Sequence, residues 1–147
     1  RSPMAEALAR RWLVEHAPEA SVEVGSAGFL DRGQPTHPFT LAVLKRRGIE
    51  AGHQRSRTLT PLLLLSQPLI LAMDEALAER ARALGATRAH GLSHYATEGH
   101  DPTSIDDPIG KPLAAYEALA IRLENLVPQA MARAMAELGA SPSSIGC

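Results

Sequence analysis

The chain has 147 residues, with 15 Lys and Arg against 16 Asp and Glu. That length suits one domain with one proper core, and charges that nearly cancel exclude a broad basic surface for nucleic acid. No apolar run approaches the roughly 18 residues of a membrane span, and no signal-peptide pattern opens the chain. The single cysteine, Cys147, excludes an internal disulfide framework and fits a reducing cytosol, so a cytoplasmic location is expected.

The first element is a helix. Pro3 suits a first helical turn, and Ser2 is the expected cap. Met4, Leu8 and Trp12 form one stripe, with Ala5, Ala9 and Leu13 beside it, until Pro18 ends the pattern. In "SVEVGSAG", Val22 and Val24 alternate with polar residues, which predicts a short strand. "GQPTHP" connects it to a helix over "FTLAVLKRRG" that closes at Gly48. After the polar loop "HQRSRTLTP", Thr60-Pro61 opens a short apolar helix. "PLLLLSQP" could serve as a partner-binding patch, but a core-facing helix is the expectation.

"PLILAM" has the length and composition of a buried strand. Asp74 then caps "EALAERARAL", which stops at Gly85, and a weak strand lies around "TRAHGL". A long loop is expected through "SHYATEGHDPTSIDDPIGK". The last helix starts near Pro112, with Leu113, Tyr116, Ala120, Leu123 and Val127 at helical spacing; Pro128 should kink or split it. Residues 1–139 form the predicted domain, and 140–147, "ASPSSIGC", a loose, flexible tail. Alternating strands and helices predict an α/β three-layer sandwich, a short parallel sheet with helices on both faces.

Two features carry chemistry. "RSP" puts an arginine at a helix start, where free N–H groups and the helix dipole attract anions, and a guanidinium matches phosphate with two parallel donors. The same three residues also read as a surface arginine beside a capped helix. "SIDDPIGK" puts Asp107 before Pro108, in an extended conformation on a loop, where a carboxyl group could protonate a leaving oxygen. Taken alone the motif is more commonly a turn with an Asp-Pro start, and Asp101-Pro102 repeats the pattern in the same loop. A metal site would draw on His90, His94, His100 and Asp101. His90 and His94 would share a face only on a helix, which Gly91 argues against, so no metal site is expected.

Taken in order, "RSPMAEALARR", "VEVGSAG", "LKRRGIEAGHQRSRTLT", "LILAMDEAL" and "DDPIGKPLAAYE" resemble the low-molecular-weight protein tyrosine phosphatase family across nearly the whole chain. The resemblance implies a four-stranded sheet and a phosphate loop of pattern Cys-x5-Arg-Ser, whose cysteine is the nucleophile. Arg1 matches the phosphate-gripping arginine, Ser2 the serine that keeps the thiolate ionised, and Asp107 the general acid. Ser26 and His53 match positions that support the loop; otherwise they are a strand-end serine and a solvated histidine. The chemistry implied is attack by a low-pKa thiolate, a phosphocysteine intermediate and its hydrolysis, with no cofactor or metal. Expected partners are a phosphorylated protein and inorganic phosphate or a similar oxyanion.

Ile109 stands where phosphotyrosine-directed members usually carry an aromatic residue, which leaves an apolar wall without stacking. "DPIG" resembles the "Asp-Pro-Phe-Gly" of the bacterial branch that includes protein-arginine phosphatases. A phosphotyrosine-type protein phosphatase is the leading expectation, phosphoarginine its competitor, and a non-catalytic phosphate-binding or regulatory relative a further alternative. A thioredoxin-linked arsenate reductase would need additional cysteines. The nucleophilic cysteine and the strand before it do not occur in these residues, and family spacing asks for about a dozen more. Cys147 is not expected to replace the nucleophile: joined to Arg1, the tail would put Pro142 at the required position. The 147 residues are therefore expected to be inactive alone. A sheet without its inner strand would need another segment or molecule in that place.

Overall fold

The computed structural model describes residues 1–29, 33–138 and 143–146. Its elements in chain order are α1 (Ser2–His16), β1 (Val22–Gly25), α2 (Pro38–Arg46), α3 (Pro61–Ser66), β2 (Leu69–Ala72), α4 (Glu75–Ala83), β3 (Ala89–Gly91), α5 (Leu92–Ala96), α6 (Leu113–Leu138) and β4 (Ser143–Gly146). The strands form one parallel sheet in the order β1-β4-β2-β3.

Strand β2 shows why the fold has three layers. Successive side chains on a strand point to opposite faces. Leu69 and Leu71 enter the larger core with residues of α1, α2, α5 and α6, whereas Ile70 joins a smaller core with Leu64 of α3 and Ala81 of α4. A strand buried on both sides reads as a continuous apolar run, which is the form "LILA" takes.

Local chemistry sets the element ends. The Thr60 hydroxyl accepts from the Leu63 N–H at 3.1 Å, and Asp74 Oδ1 accepts from the Leu77 N–H at 2.8 Å, so both helices begin on side-chain caps. Chain reversal after α2 falls on Gly48, whose φ of +75° costs a residue without a Cβ little. Helix α1 differs by one position from expectation. Its cap is Arg1, whose carbonyl accepts from the Ala5 N–H at 3.1 Å, and Ser2 is already helical. In α3 only Leu64 is fully buried, while Leu62 and Leu65 are exposed.

Three elements depart from the expected pattern. Residues 93–96, expected in a loop, and Leu92, expected in the weak strand around "TRAHGL", form α5 with Gly91 as its cap; His90 stays in β3, so no helix carries both His90 and His94. The burial of Leu92, Tyr95 and Ala96 holds this short helix against α6. Helix α6 runs unbroken through Pro128, because Leu123, Leu126, Val127, Ala130, Met131 and Ala134 bury the turns on either side of it. Residues 143–146, expected in the loose tail, are the interior strand β4. It pairs with β1 from Val22↔Ser143 to Gly25↔Gly146 and with β2 at Leu69↔Ile145 and Ile70↔Gly146. The slot between β1 and β2 offers unpaired backbone groups on both sides, and Ile145 becomes fully buried in it. Burying such a side chain contributes about 1.5–3 kcal/mol. The rest of the expected tail, 140–142 with Pro142, and Cys147 lie outside the described residues.

Candidate active site

In parallel α/β sheets, ligands bind beyond the carboxyl ends of the strands. Four pieces of chain meet there: the start of α1, the end of β1, the end of β2, and the loop that carries Asp107.

Arg1 is the centre of this cluster, and its side chain is 18% exposed. Its Nη1 donates to the Ile105 carbonyl at 2.7 Å and lies 3.7 Å from Asp74 Oδ2, while its Nη2 lies 4.0 Å from Asp107 Oδ2. The loop bearing Ile105 is tied to the end of β2 by the Ile105 N–H, which donates to the Met73 carbonyl at 2.9 Å. One anchor thus fixes both the carbonyl that holds Arg1 and the approach of Asp107. Helix α1 begins at Ser2, directly after Arg1, and the first N–H groups of a helix have no intrahelical partner, although Pro3 contributes none.

Asp107 heads a tight turn. Its Oδ1 accepts from the Ile109 N–H at 3.1 Å, and the Lys111 N–H donates to the Pro108 carbonyl at 2.9 Å. Gly110 takes φ +76°, the left-handed position such a turn requires. Turn and acid are therefore compatible readings of the same residues: Oδ1 holds the turn and Oδ2 faces Arg1. Asp101 is different. It closes its own turn with Thr103 and pairs with Arg122 at 3.7 Å, away from Arg1. Hydrogen bonds from Thr103, then the field of Arg122, hold its carboxyl below the usual carboxylate range.

The other predicted site residues are less uniform. Ser26, just past β1, donates its hydroxyl to Glu6 Oε2 in the second turn of α1; both residues are buried. Glu6 Oε1 in turn accepts from Arg10 Nε at 3.0 Å. The serine thus fastens the β1 end to α1. Ser2 sits in the first turn, and its hydroxyl makes no hydrogen bond among the described residues. His53 is exposed and likewise makes none; its neighbour Gln54 reaches α1 instead, donating to the Pro3 carbonyl at 3.4 Å. Ile109 is 72% exposed at the tip of the turn.

Sequence reasoning did not assign Asp74 or Glu6 to the site. Asp74 was visible only as a cap, and Glu6 had no marker beyond its place in "RSPMAE". Also near Asp107, whose charge helps raise its hydroxyl pKa after burial, is Tyr116; its ring stacks on His37 at 5.0 Å and meets Phe39 edge-on at 5.3 Å. Among the described residues no group of three or more His, Cys, Asp or Glu side chains could hold a metal. His90 stacks on Tyr95, and His100 Nδ1 lies 2.8 Å from the Thr97 carbonyl. No helix among the described residues is long and apolar enough to cross a membrane.

Comparisons with known proteins bear on the family and the fold. No curated protein matches the chain. Among solved structures, the YwlE arginine phosphatase from Geobacillus stearothermophilus is 30% identical, with TM-score 0.77 over 93% of this chain and 86% of its own. A low molecular weight protein tyrosine phosphatase from Bacillus subtilis is 26% identical, with TM-score 0.82 over 95% and 92%. A third, a cysteine-to-serine mutant of YwlE arginine phosphatase with a phosphorylated active-site serine, is 28% identical, with TM-score 0.77 over 90% and 86%. The family model described as low molecular weight phosphotyrosine protein phosphatase matches residues 1–140, and the chain belongs to that family of protein phosphatases.

Proposed function

We propose that Arg1 and Asp107 are the phosphate-binding and general-acid groups of a site that hydrolyses phosphotyrosine-type phosphomonoesters on proteins through a phosphocysteine intermediate. The observation that carries this reading is their meeting, 4.0 Å apart, beside the start of α1. The guanidinium and the first N–H groups of α1 supply donors for the equatorial phosphoryl oxygens, where charge accumulates as the group transfers. Asp107, in its acid form, gives its proton to the leaving oxygen as the cysteine thiolate bonds phosphorus and the phosphorus–oxygen ester bond breaks. It then takes a proton from the water that displaces the thiolate and releases phosphate. Ser2 hydrogen-bonds the thiolate, Ser26 and His53 brace the loop that holds it, and Ile109 walls the substrate. A relative described with a phosphorylated serine in place of its active-site cysteine supports the covalent step.

The 147 residues contain one cysteine, Cys147, which does not stand at the Cys-x5-Arg spacing. Alone they are expected to bind phosphate and to show no turnover. Titration of the chain with orthophosphate, followed by phosphorus NMR, tests the seat. Arg1→Ala should weaken binding about tenfold or more, the scale of a lost charge-assisted pair. Unchanged affinity would remove Arg1 from the role. A chain carrying a cysteine six positions before Arg1 should hydrolyse para-nitrophenyl phosphate, and failure to do so would overturn the catalytic reading.

A second reading, protein phosphoarginine as substrate, is favoured by the exposed Ile109 in place of an aromatic ring and by two relatives described as arginine phosphatases. Rates of that same cysteine-bearing chain on phosphotyrosine and phosphoarginine peptides decide between the two.

A further inference from the structure

Asp74 has more chemistry than its place as a helix cap uses. Oδ1 alone does the capping, at 2.8 Å from the Leu77 N–H. A cap needs no charge: asparagine, serine and aspartate serve about equally well. The second oxygen, fixed in direction because the first is held, lies 3.7 Å from Arg1 Nη1. The pair is largely withdrawn from water, with the two side chains 18% and 24% exposed. At 3.7 Å Asp74 acts on Arg1 chiefly through charge. The tight hydrogen bond on the same nitrogen comes from the Ile105 carbonyl, at 2.7 Å.

We infer that Asp74 is a positioning residue of the phosphate seat, a fixed counter-charge to Arg1 that sets how readily the seat releases free phosphate. The inference rests on the reading of Arg1 as the phosphate-binding group. Two carboxylates, Asp74 and Asp107, flank one guanidinium. Asp107 stands on the loop and can turn toward a leaving group. Asp74 cannot leave without uncapping α4. A phosphate dianion drawn to Arg1 therefore always meets one negative charge across the guanidinium. A hydrolase benefits from that arrangement. Its product is the same dianion its seat attracts, and a seat that held it too well would stay occupied.

The test compares orthophosphate affinity, by phosphorus NMR, with the thermal midpoint, by circular dichroism. Asp74→Asn keeps the capping oxygen and removes the charge. The midpoint should hold while phosphate binds about three- to tenfold tighter, the scale of removing one like charge a few ångströms beyond the contact. The gain should shrink as salt is raised, which repacking around an amide would not do. Asp74→Ser also keeps a capping oxygen and carries the same prediction if the asparagine variant folds poorly. Unchanged or weaker phosphate binding at a preserved midpoint would overturn the inference. Arg1→Ala separates the two levels. If it leaves phosphate binding intact, the reading of Arg1 falls; if it weakens binding but Asp74→Asn brings no gain, only the role of Asp74 falls.

Discussion

Asp101 and Asp107 are both followed by proline in one loop, and only geometry tells them apart. Asp101 spends its oxygens on Thr103 and pairs with Arg122, whereas Asp107 keeps one oxygen turned to Arg1. In a chain that carries the nucleophile, Asp107→Asn should cost about 10²- to 10⁴-fold in turnover of an alkyl phosphate, the usual worth of a general acid. The loss on para-nitrophenyl phosphate should be far smaller, because that leaving group needs little protonation. Equal losses on both would take the acid role from Asp107. Ile109 yields a second prediction. It is exposed at the tip of the turn, so Ile109→Phe can be accepted without disturbing the core. The added ring should favour phosphotyrosine over phosphoarginine peptides by stacking, worth about 0.5–1.5 kcal/mol; an unaltered ratio of rates would show that the turn does not wall the substrate. At this scale, a helix start at Arg1 and an Asp-Pro turn at Asp107 left marks in sequence, but only the family resemblance joined the two residues, which the structure brings within 4.0 Å. Asp74 and Glu6 were not legible, because what they touch is set by tertiary placement: the second oxygen of a cap, and a carboxylate that meets Ser26 across elements.

Among the elements, β2 and the helices other than α5 could be read from periodicity and caps, since Thr60, Asp74 and Gly48 act through neighbours a few residues away. Strand β4 could not. "SSIG" holds one large apolar residue, and its pairing depends wholly on the slot between β1 and β2. The energetic weight falls on Ile145, which is fully buried. Ile145→Ala should lower unfolding free energy by about 2–5 kcal/mol, measured by urea denaturation. A loss below about 0.5 kcal/mol, the surface range, would mean the strand does not occupy the sheet. Pro128 was expected to kink or split α6, but the helix runs through it, because local propensity lost to packing on both sides. Position 128 still lacks the N–H that would serve the Glu124 carbonyl. Pro128→Ala should therefore raise stability, by up to about 3 kcal/mol. A fall in the urea midpoint would show that the ring's contacts outweigh the missing bond.

For the whole molecule, the far end of α6 is held by a charge cluster that ties it to α5 and to the approach to β3. Glu137 Oε2 lies 2.5 Å from Arg88 Nη2 and accepts from the Tyr95 hydroxyl at 2.9 Å, while Oε1 lies 2.9 Å from Arg133 Nε. The guanidinium of Arg133 covers the Tyr95 ring at 4.3 Å. The hydrogen bond from Arg88, followed by those from Tyr95 and Arg133, brings the Glu137 carboxyl down to about 2 from an ordinary 4.5. Burial, then the neighbouring Glu137, pushes the Tyr95 hydroxyl up to about 12 from 10.0. The signs follow from linkage. A depressed carboxyl contributes stability that is complete above its ordinary value and disappears as pH falls from 4.5 toward 2. A raised phenol contributes stability that is complete below 10 and disappears as pH rises toward 12. Glu137→Gln should lower the urea midpoint at neutral pH and flatten its fall between pH 4.5 and 2, since the variant has no carboxylate there to protonate. Parallel curves for the two proteins across that interval would show that Glu137 does not govern acid stability. The same comparison bears on the sheet. Helix α6 ends at Leu138, one residue beyond this cluster, and the chain re-enters the sheet at Ser143. If the cluster fixes the point from which β4 departs, the Ile145 amide should exchange with deuterium faster in Glu137→Gln than in the parent at neutral pH, by more than the amides of β3 at the sheet edge. Equal acceleration of both would mean that the cluster stabilises the fold as a whole without singling out its interior strand.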